Sequence, residues 1–492
     1  MKKLLIILFF LISFPVRAYQ AAVVSAEPAA SKVGVEILKK GGNAADAAVA
    51  TAMALGVVEP YNSGLGGGGF LLYYDAAKKE FSFLDYRETA PSQATLTGDL
   101  RRYTQGIDSV AIPGFVKGME VIQQKLCKLS WPDLLDPAIR LAKKGISLDG
   151  MMAEKIQEHQ SLLEKDPYLL ENYLKPYRSG VRSIDQSPLA NTLTLLRDKG
   201  GKEFYSGELA RKISDFSRKN GGLIRGEDLS SYRALWRKPY QFTQGSYDVT
   251  SSPIPSSGGM ALSLLFRKAV ISKLSAERPY SSQAFRNLIE NLKDYFEYRE
   301  AALGDSNTDV VSHTTHLCVI DSEGNIAAMT NTLNNPFGSG VSVAGTGILL
   351  NDEMNDFSLV AGSPNQLRPG RRPLSSMAPT IIFKQGKPYL AIGTPGGLTI
   401  PQNIFQILFY TWAWQSTLDQ AIAQPKIYFS PKNPSHVLVE NKISNKVIKE
   451  LGITETVEVR PTIGNVQALW IKDKKITIPL SDPRFEGKGY KL

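Results

Sequence analysis

The chain has 492 residues, of which 43% are hydrophobic and 21% charged, and its formal net charge is +10. Its basic residues alternate with acidic ones, as in RKISDFSRKNGGLIRGEDL, rather than forming the basic stripe typical of nucleic-acid-binding proteins. The histidines and cysteines show no metal-ligand spacing, so the sequence predicts no metal site.

The first residues, MKKLLIILFFLISFPVRA, combine a basic start, an apolar run and a small-residue exit. This layout is typical of a secretory signal peptide, with cleavage expected after Ala18. The apolar run is about half of the roughly 20 residues that a membrane span requires, and no later stretch is long and apolar enough. We therefore expect residues 1–18 to be removed and the mature chain to be periplasmic or secreted, without a membrane span.

After the signal, residues 27–60 are apolar on nearly every side of a helical wheel, which predicts one core helix ending at Glu59-Pro60. The glycine-rich NSGLGGGGFLLYYD then leads into a strand, and FSFLDYRETAP forms another. The G-x-G-x-x-G spacing in this loop follows a helix and precedes a strand, the reverse of a dinucleotide-binding fingerprint. Amphipathic helices follow over residues 126–280, and a further helix is predicted from Ser282 to Leu303, ending at Gly304.

From His313 onward, short β-rich segments are joined by tight turns: TTHLCVID, NIAAMTNTL, PTIIFK and PYLAIG. No linker separates them from the helix-rich first part, so both parts are expected to share one core. If the first hairpin is centred on Glu323, Thr314 lies opposite Thr332 and two hydroxyls meet. Cys318 falls inside this apolar strand, which favours a buried free thiol over a disulfide.

The second hairpin turns at Gln385-Gly386-Lys387. With Gly386 as its centre, Ser375 and Ser376 fall opposite Gly397 and Gly396. Unobstructed glycine N–H groups are suited to stabilising a developing oxyanion.

A hydroxyl nucleophile in this chain lacks the usual activating groups. There is no G-x-S-x-G elbow, and histidine is scarce. A threonine can instead be activated by its own α-amino group when the chain is cut immediately before it. That amine titrates near pH 8 when unperturbed, which suits a general base.

Seven segments together resemble the γ-glutamyltranspeptidases, which are N-terminal-nucleophile hydrolases: GGNAADAAVATAMALGVVEPYNSGLGGGGF, DYRETAP, PIPSSGG, TTHLCVID, GILLNDEMNDF, RRPLSSMAPT and GTPGG. The resemblance runs from about Ala21 to Pro483, in the family's order. It implies an α+β fold, a four-layer αββα sandwich, formed by a precursor that cleaves itself. The expected products are a large subunit of residues 19–313 and a small subunit of residues 314–492, intertwined as one domain.

By the same resemblance, Thr314 is the nucleophile, the bond cut is His313–Thr314, and Thr332 hydrogen-bonds the nucleophile. Gly396 and Gly397 would supply the oxyanion N–H groups. The remaining assignments concern the amino-acid head group of the substrate. Arg87, Ser375 and Ser376 would bind its α-carboxylate, and Asn334, Glu353 and Asp356 its α-ammonium, as their charges suggest.

The implied reaction transfers the γ-glutamyl group of glutathione or another γ-glutamyl amide, through a threonine ester, to water or to an amino-acid or peptide acceptor. It needs no cofactor. Three alternatives remain open. An acylase and a poly-γ-glutamate-processing transpeptidase share the fold, and an exported homologue could lack both processing and activity.

The sequence departs from the family's usual pattern in three places. Only SNTDVVSH separates Asp305 from Thr314, where the family carries a long segment, so the new end at His313 is expected to move little after cleavage. His313 replaces a residue that is commonly small or an amide. The segment after Asp356 is shorter than in members with a lid loop, which predicts an open site.

Overall fold

The computed structural model describes residues 19–96, 100–148, 150–305, 314–431, 435–472 and 476–492. The predicted signal peptide and His313 lie outside these ranges. Within them, no helix has both the length and the apolar character that crossing a membrane requires. Cys127 and Cys318 are both free thiols, and Cys318 is buried, as predicted.

The strands are β1 (Ala22–Ser25), β2 (Gly68–Asp75), β3 (Glu80–Asp85), β4 (Ile146–Ser147), β5 (Ser183–Ile184), β6 (Leu235–Arg237), β7 (Tyr240–Gln244), β8 (Tyr247–Ser251), β9 (Thr314–Ile320), β10 (Ile326–Thr332), β11 (Ser342–Val343), β12 (Ile348–Leu349), β13 (Thr380–Lys384), β14 (Lys387–Gly393), β15 (Ile427–Phe429), β16 (His436–Glu440), β17 (Thr456–Arg460), β18 (Gln467–Lys472), β19 (Ile476–Ser481) and β20 (Lys488–Lys491).

The α-helices are α1 (Pro28–Lys39), α2 (Ala44–Val58), α3 (Phe115–Leu126), α4 (Trp131–Lys144), α5 (Gly150–Glu158), α6 (Gln160–Leu163), α7 (Pro167–Leu169), α8 (Lys175–Arg178), α9 (Ser187–Lys199), α10 (Lys202–Ser206), α11 (Glu208–Lys219), α12 (Gly226–Ser231), α13 (Gly258–Ile271), α14 (Ser282–Leu303), α15 (Ile400–Trp412), α16 (Leu418–Ala423) and α17 (Asn445–Glu450). The bounds predicted for α14 are confirmed, including its end at Gly304.

The first helical region was wrongly predicted as one helix, since α1 and α2 are separate. Gly41 has φ +92°, a left-handed conformation that ends α1. Asn43 then starts α2 with a capping box: its side chain accepts from the N–H of Asp46 at 3.0 Å, and its own N–H donates to the Asp46 carboxylate at 2.8 Å. Because α2 is buried almost all round, its hydrophobic pattern hides this break.

The first sheet has the strand order β20-β1-β9-β10-β2-β3-β6, with antiparallel pairing throughout. Strands β9 and β10 form the first predicted hairpin, and Thr314 pairs with Thr332 in the predicted register. Side chains along each strand alternate between its two faces. In β2, Leu71 packs with the helices α1 to α4, whereas Leu72 packs toward the second sheet.

The second sheet has the order β19-β18-β14-β13-β8-β7. Its hairpin β13–β14 follows the predicted register only from Thr380↔Ile392 to Ile382↔Leu390, and a bulge follows. The predicted pairing of Ser375 and Ser376 with the two glycines is therefore wrong, because the ladder ends before it reaches them. Prolines stand beyond the open end of the ladder on both strands, at positions 379 and 395, where they cannot donate ladder hydrogen bonds.

Two hydrophobic clusters show which layers pack against one another. One joins helices α1 to α4 to the outer face of the first sheet, and the other fills the space between the sheets and under α13, α14 and α15. Residues of β9 and β10 contact β14 across the sheet interface. The order is helix, sheet, sheet, helix, which confirms the predicted four-layer sandwich.

The glycine run before β2 allows an unusually close approach of backbones at one end of the first sheet. A Cβ at Gly67 would lie 2.1 Å from the carbonyl oxygen of Thr332, and one at Gly69 would lie 2.3 Å from that of Thr330. Any side chain at these positions would push β10 away. The glycines thus allow the end of β10, which carries Thr332, to pack directly against β2.

Candidate active site

Thr314 begins β9, and its hydroxyl lies 3.3 Å from the hydroxyl of Thr332 at the end of β10. Both side chains are almost fully buried, with 2% and 3% exposed. A hydroxyl oxygen that is screened from water and hydrogen-bonded to a second hydroxyl has a defined orientation. The strand register is the local cause, since it places the two threonines on the same face and directly opposite one another.

Asn334 connects this pair to the next loop. Its backbone N–H donates to the Thr332 hydroxyl oxygen at 2.8 Å, and its side-chain amide donates to the carbonyl of Asp352 at 3.2 Å. Asn334 has φ +76°, a conformation that asparagine tolerates better than most residues. The chain thus turns away from β10 at Asn334, the residue whose N–H is hydrogen-bonded to the Thr332 hydroxyl.

Thr314 lies in the wall of a cavity of about 500 Å³. Pro395 and Gly396 border the cavity with it, and the turn after α2 forms another wall with Glu59, Tyr61 and Asn62. The cavity is rich in ionisable side chains, which come from several elements: Glu27, Glu154, Lys155, Glu158, His159, Arg460 and Glu486.

Gly396 and Gly397 precede α15, in a turn that only glycine adopts readily, with φ +134° and +56°. In the part of the chain that the structure describes, their N–H groups donate no hydrogen bond to the protein. The carbonyl of Gly396 accepts from the Thr399 hydroxyl at 2.7 Å, which holds the turn in place. Free N–H groups at the start of a helix are suited to binding negative charge.

His316 is fully buried and lies two residues after Thr314 in β9. Its ring nitrogens contact the Thr330 hydroxyl at 2.8 Å and the Cys318 sulfur at 3.2 Å, and burial lowers its pKa to about 3. The histidine is therefore neutral at physiological pH. It is an inner polar group whose two ring nitrogens contact Thr330 and Cys318 rather than the Thr314 hydroxyl.

Arg87, Glu353 and Asp356 form a buried charge cluster. The Arg87 guanidinium donates to the Asp356 carboxylate and lies 2.7 Å from a carboxylate oxygen of Glu353, an ion pair whose alignment falls short of a hydrogen bond. It also donates to the Leu374 carbonyl at 3.2 Å. Burial by itself lowers the pKa of Arg87, but the charges of Glu353 and Asp356 outweigh that effect and raise it.

More carboxyl groups surround this arginine than one positive charge can balance. Burial raises the pKa of Glu353 well above its usual range, that of Glu88 to about 8 and that of Asp352 to about 7. Glu88 lies 3.9 Å from the guanidinium, too far for a hydrogen bond. The cluster can therefore hold protons at neutral pH, and it offers acceptors for a cationic group.

The structure divides the residues that the sequence singled out into two sets. Thr314 and Gly396 line the cavity, whereas the candidate head-group residues are buried outside its lining: Arg87, Asn334, Glu353, Asp356, Ser375 and Ser376. Asn334 links the sets through Thr332 and Asp352. The Ser375 hydroxyl accepts from the N–H of Met377 at 3.2 Å, and the Ser375 backbone bonds the turn at Pro255 and Ser257.

A family model described as gamma-glutamyltranspeptidase matches residues 30–313 and 307–492. The chain belongs to the gamma-glutamyltranspeptidase family. It is 33% identical to the glutathione hydrolase proenzyme of Bacillus subtilis (strain 168), over 91% of this chain and 87% of that protein. It is also 32% identical to the capsule biosynthesis protein CapD proenzyme of Bacillus anthracis, over 92% of this chain and 86% of that protein.

Among solved structures, a cephalosporin acylase from Bacillus halodurans is similar over nearly the whole fold. It has a TM-score of 0.83 and 25% sequence identity, and the match covers 98% of this chain and 99% of that one. Gamma-glutamyltranspeptidase family membership and this fold likeness agree with the four-layer order of the described residues.

Three site residues were missed in the sequence: Glu88, Asp352 and Glu59. Glu88 follows Arg87 directly and Asp352 precedes Glu353. Both could have been identified as candidates in the sequence, because they are charged residues inside motifs that carry predicted site residues. Glu59 follows the apolar residues of α2 and precedes a proline, a pattern that in sequence indicates only the end of a helix. Only the packed structure brings it to the cavity of Thr314.

Proposed function

We propose that the chain is a self-cleaving γ-glutamyltranspeptidase and hydrolase in which Thr314 is the nucleophile. The observation that carries the proposal is the buried hydroxyl pair of Thr314 and Thr332, of which Thr314 borders the same cavity as Gly396. The B. subtilis relative is named a glutathione hydrolase proenzyme, which supports both a precursor and a γ-glutamyl donor. Cleavage before Thr314 would produce subunits of residues 19–313 and 314–492.

In the proposed reaction the Thr314 hydroxyl oxygen attacks the γ-amide carbonyl, and its proton passes to the α-amino group of Thr314. The amide C–N bond breaks, the amine leaves with that proton, and a γ-glutamyl ester remains. Water or the amine of an amino acid or peptide then attacks the ester and restores the hydroxyl. The N–H groups of Gly396 and Gly397 stabilise the oxyanion in both steps.

The head group of the donor would bind at the cluster of Arg87. Its α-carboxylate would pair with the guanidinium together with Ser375 and Ser376, and its α-ammonium would pair with Glu353, Asp356 and Asn334. The cluster supports this assignment, because a carboxylate–ammonium pair can replace internal ion pairs without a net change of charge. The donor must then displace Glu353 or Asp356 from the arginine.

Export to the periplasm or beyond the cell is part of the same proposal, and it rests on the signal-like first 18 residues. An acylase acting on another side-chain amide is the second candidate, favoured by the likeness to the cephalosporin acylase and by the internal pairing of Arg87. A transpeptidase for poly-γ-glutamate is a third, since a capsule biosynthesis protein is among the relatives.

Turnover of two anilides distinguishes the first two candidates. We expect the protein to hydrolyse a γ-glutamyl anilide at least 100-fold faster than the glutaryl anilide, because the latter lacks the α-ammonium that Glu353 and Asp356 would bind. Asp356→Asn should reduce this preference and raise KM for the γ-glutamyl compound. Equal rates on both anilides would favour the acylase.

A further inference from the structure

Glu59 is a carboxyl group that the proposed reaction leaves unused, although it borders the cavity of Thr314. It stands at the end of α2 with only 3% of its side chain exposed. Asn62 donates a hydrogen bond of 2.6 Å to one carboxylate oxygen. The other oxygen is also buried and has no hydrogen-bond partner among the described residues, so Glu59 keeps one unused acceptor.

The turn that carries Glu59 is held against the ends of the strands that carry the two threonines. The carbonyl of Asn62 accepts from the N–H of Leu333, next to Thr332, at 3.0 Å. The carbonyl of Tyr61 accepts from the N–H of Phe337, also at 3.0 Å. These bonds fix the position of the Glu59 backbone relative to β10, and through the strand pairing relative to the start of β9.

The carboxyl of Glu59 also faces the first residues of β9 directly. The Thr315 hydroxyl comes close enough to lower the pKa of Glu59, although the two groups do not meet the geometry of a hydrogen bond. The backbone nitrogen of Thr314 is one residue away, at the very end of the strand. Cleavage before Thr314 turns that nitrogen into the α-amino group, which has N–H donors to offer.

We propose that Glu59 is a positioning residue for the α-amino group of Thr314, accepting a hydrogen bond from it so that the amine lone pair faces the threonine hydroxyl. This inference rests on the proposed function, since it requires the cut before Thr314. Burial raises the pKa of Glu59 to about 7, so the amine and the carboxyl titrate as a pair near neutral pH.

Other ionisable groups face the same cavity. Those on and just after α5 are Glu154, Lys155, Glu158 and His159. Those from other elements are Glu27, Tyr61, Arg460 and Glu486. The two cations among them already have partners, since Lys155 lies 2.6 Å from Glu158 and Arg460 lies 2.5 Å from Glu458. Among the carboxyl groups of this lining, Glu59 is thus the buried one, and no unpaired Lys or Arg of the described chain competes for it in the lining.

The test is the pH profile of kcat/KM for a γ-glutamyl anilide, measured on cleaved wild-type protein and on Glu59→Gln. A neighbouring carboxylate favours the ammonium form, so its loss should lower the pKa of the amine and shift the acid limb to lower pH by about 1 unit. The plateau kcat should fall roughly tenfold or more because the amine is no longer oriented, while KM changes by less than about twofold.

Glu154→Gln is the matched control, because it removes the same charge from an exposed side chain of the same cavity. Its acid limb should stay at the wild-type pH. An unshifted limb in Glu59→Gln, or an equal shift in both variants, overturns the proposal. If wild type is cleaved and active but Glu59→Gln stays uncut, Asn62→Ala provides the test.

Asn62→Ala removes the bond that lowers the pKa of Glu59, and it should shift the acid limb in the same direction by a smaller amount. No shift in a cleaved Asn62→Ala protein overturns the positioning role. Wild-type protein that is neither cleaved nor active contradicts the proposed function itself, and that result is separate from any difference between the variants.

Discussion

The hydroxyl of Thr332 has its hydrogen-bond directions set by its neighbours. Its oxygen accepts from the backbone N–H of Asn334 at 2.8 Å, which leaves its proton able to point at the Thr314 oxygen 3.3 Å away. A donor in this position stabilises negative charge that develops on the nucleophile. In the proposed reaction, Thr332 would therefore stabilise charge on the Thr314 oxygen as well as orient it.

Thr332→Val, which keeps the shape but removes the hydroxyl, should lower kcat by about 10- to 100-fold, as expected when a hydrogen bond to a charged group is lost. Thr332→Ser should retain most of the activity. Steady-state kinetics on the γ-glutamyl anilide, with cleavage followed by gel electrophoresis, measures both effects. A fully active valine variant would show that the pair of hydroxyls has no part in the reaction.

His316 makes stability depend on pH in a definite direction. Its pKa is about 3 in the folded protein and about 6.5 when exposed, so below pH 6.5 the unfolded chain binds a proton that the native chain does not. Its contribution is constant above pH 6.5 and becomes steadily destabilising as the pH falls toward 3.

His316→Gln removes this titration. Between pH 7 and pH 5, wild type should lose about 2 kcal/mol more of its unfolding free energy than the variant, at about 1.4 kcal/mol per pH unit over the titrating range. Chemical denaturation at the two pH values gives the comparison. Equal losses in the two proteins would mean that the histidine is not held neutral.

At the level of elements, the glycine run before β2 connects sequence to site geometry. A Cβ at Gly67 would meet the carbonyl oxygen of Thr332 at 2.1 Å, a backbone atom that cannot move without the strand. Gly226 offers a contrast, since a Cβ there would meet nothing within 4 Å.

Gly67→Ala should destabilise the protein by about 2 kcal/mol or more and reduce both cleavage and turnover, because β10 must shift. Gly226→Ala should change the unfolding free energy by less than about 0.5 kcal/mol. Denaturant titration and the anilide assay test the pair. If Gly67→Ala matched Gly226→Ala in both, the close approach would not support the site.

The elements also show what sequence patterns can and cannot predict. The register of β9 and β10 was predictable because a clear turn signal joins two strands that contain Val, Ile and Thr, and the centre of the turn sets the pairing. The same reasoning failed for Ser375 and Ser376, because the ladder ends at Thr380 and Ile392 and a proline follows that end on each strand. The break between α1 and α2 was hidden because α2 is buried on all sides. Such a helix has no polar face whose periodicity would show where the helix begins.

At the scale of the whole molecule, the four layers were implied by the resemblance to the family, but the ion pairs within the site were not. Arg87 was expected to bind the α-carboxylate of the substrate. In the structure it forms ion pairs with Glu353 and Asp356, which lie more than 260 residues away in the sequence. Glu59 borders the same cavity as Thr314 because α2 packs against β9 from the neighbouring layer. Such long-range proximity has no local signature.

The central claim is that the chain cuts itself before Thr314, and intact mass spectrometry of the purified protein tests it most directly. We predict two fragments, the smaller with Thr314 as its first residue, and one uncut chain for Thr314→Ala. Wild-type protein that remains a single chain after prolonged incubation, or a fragment that begins at another residue, would contradict the account.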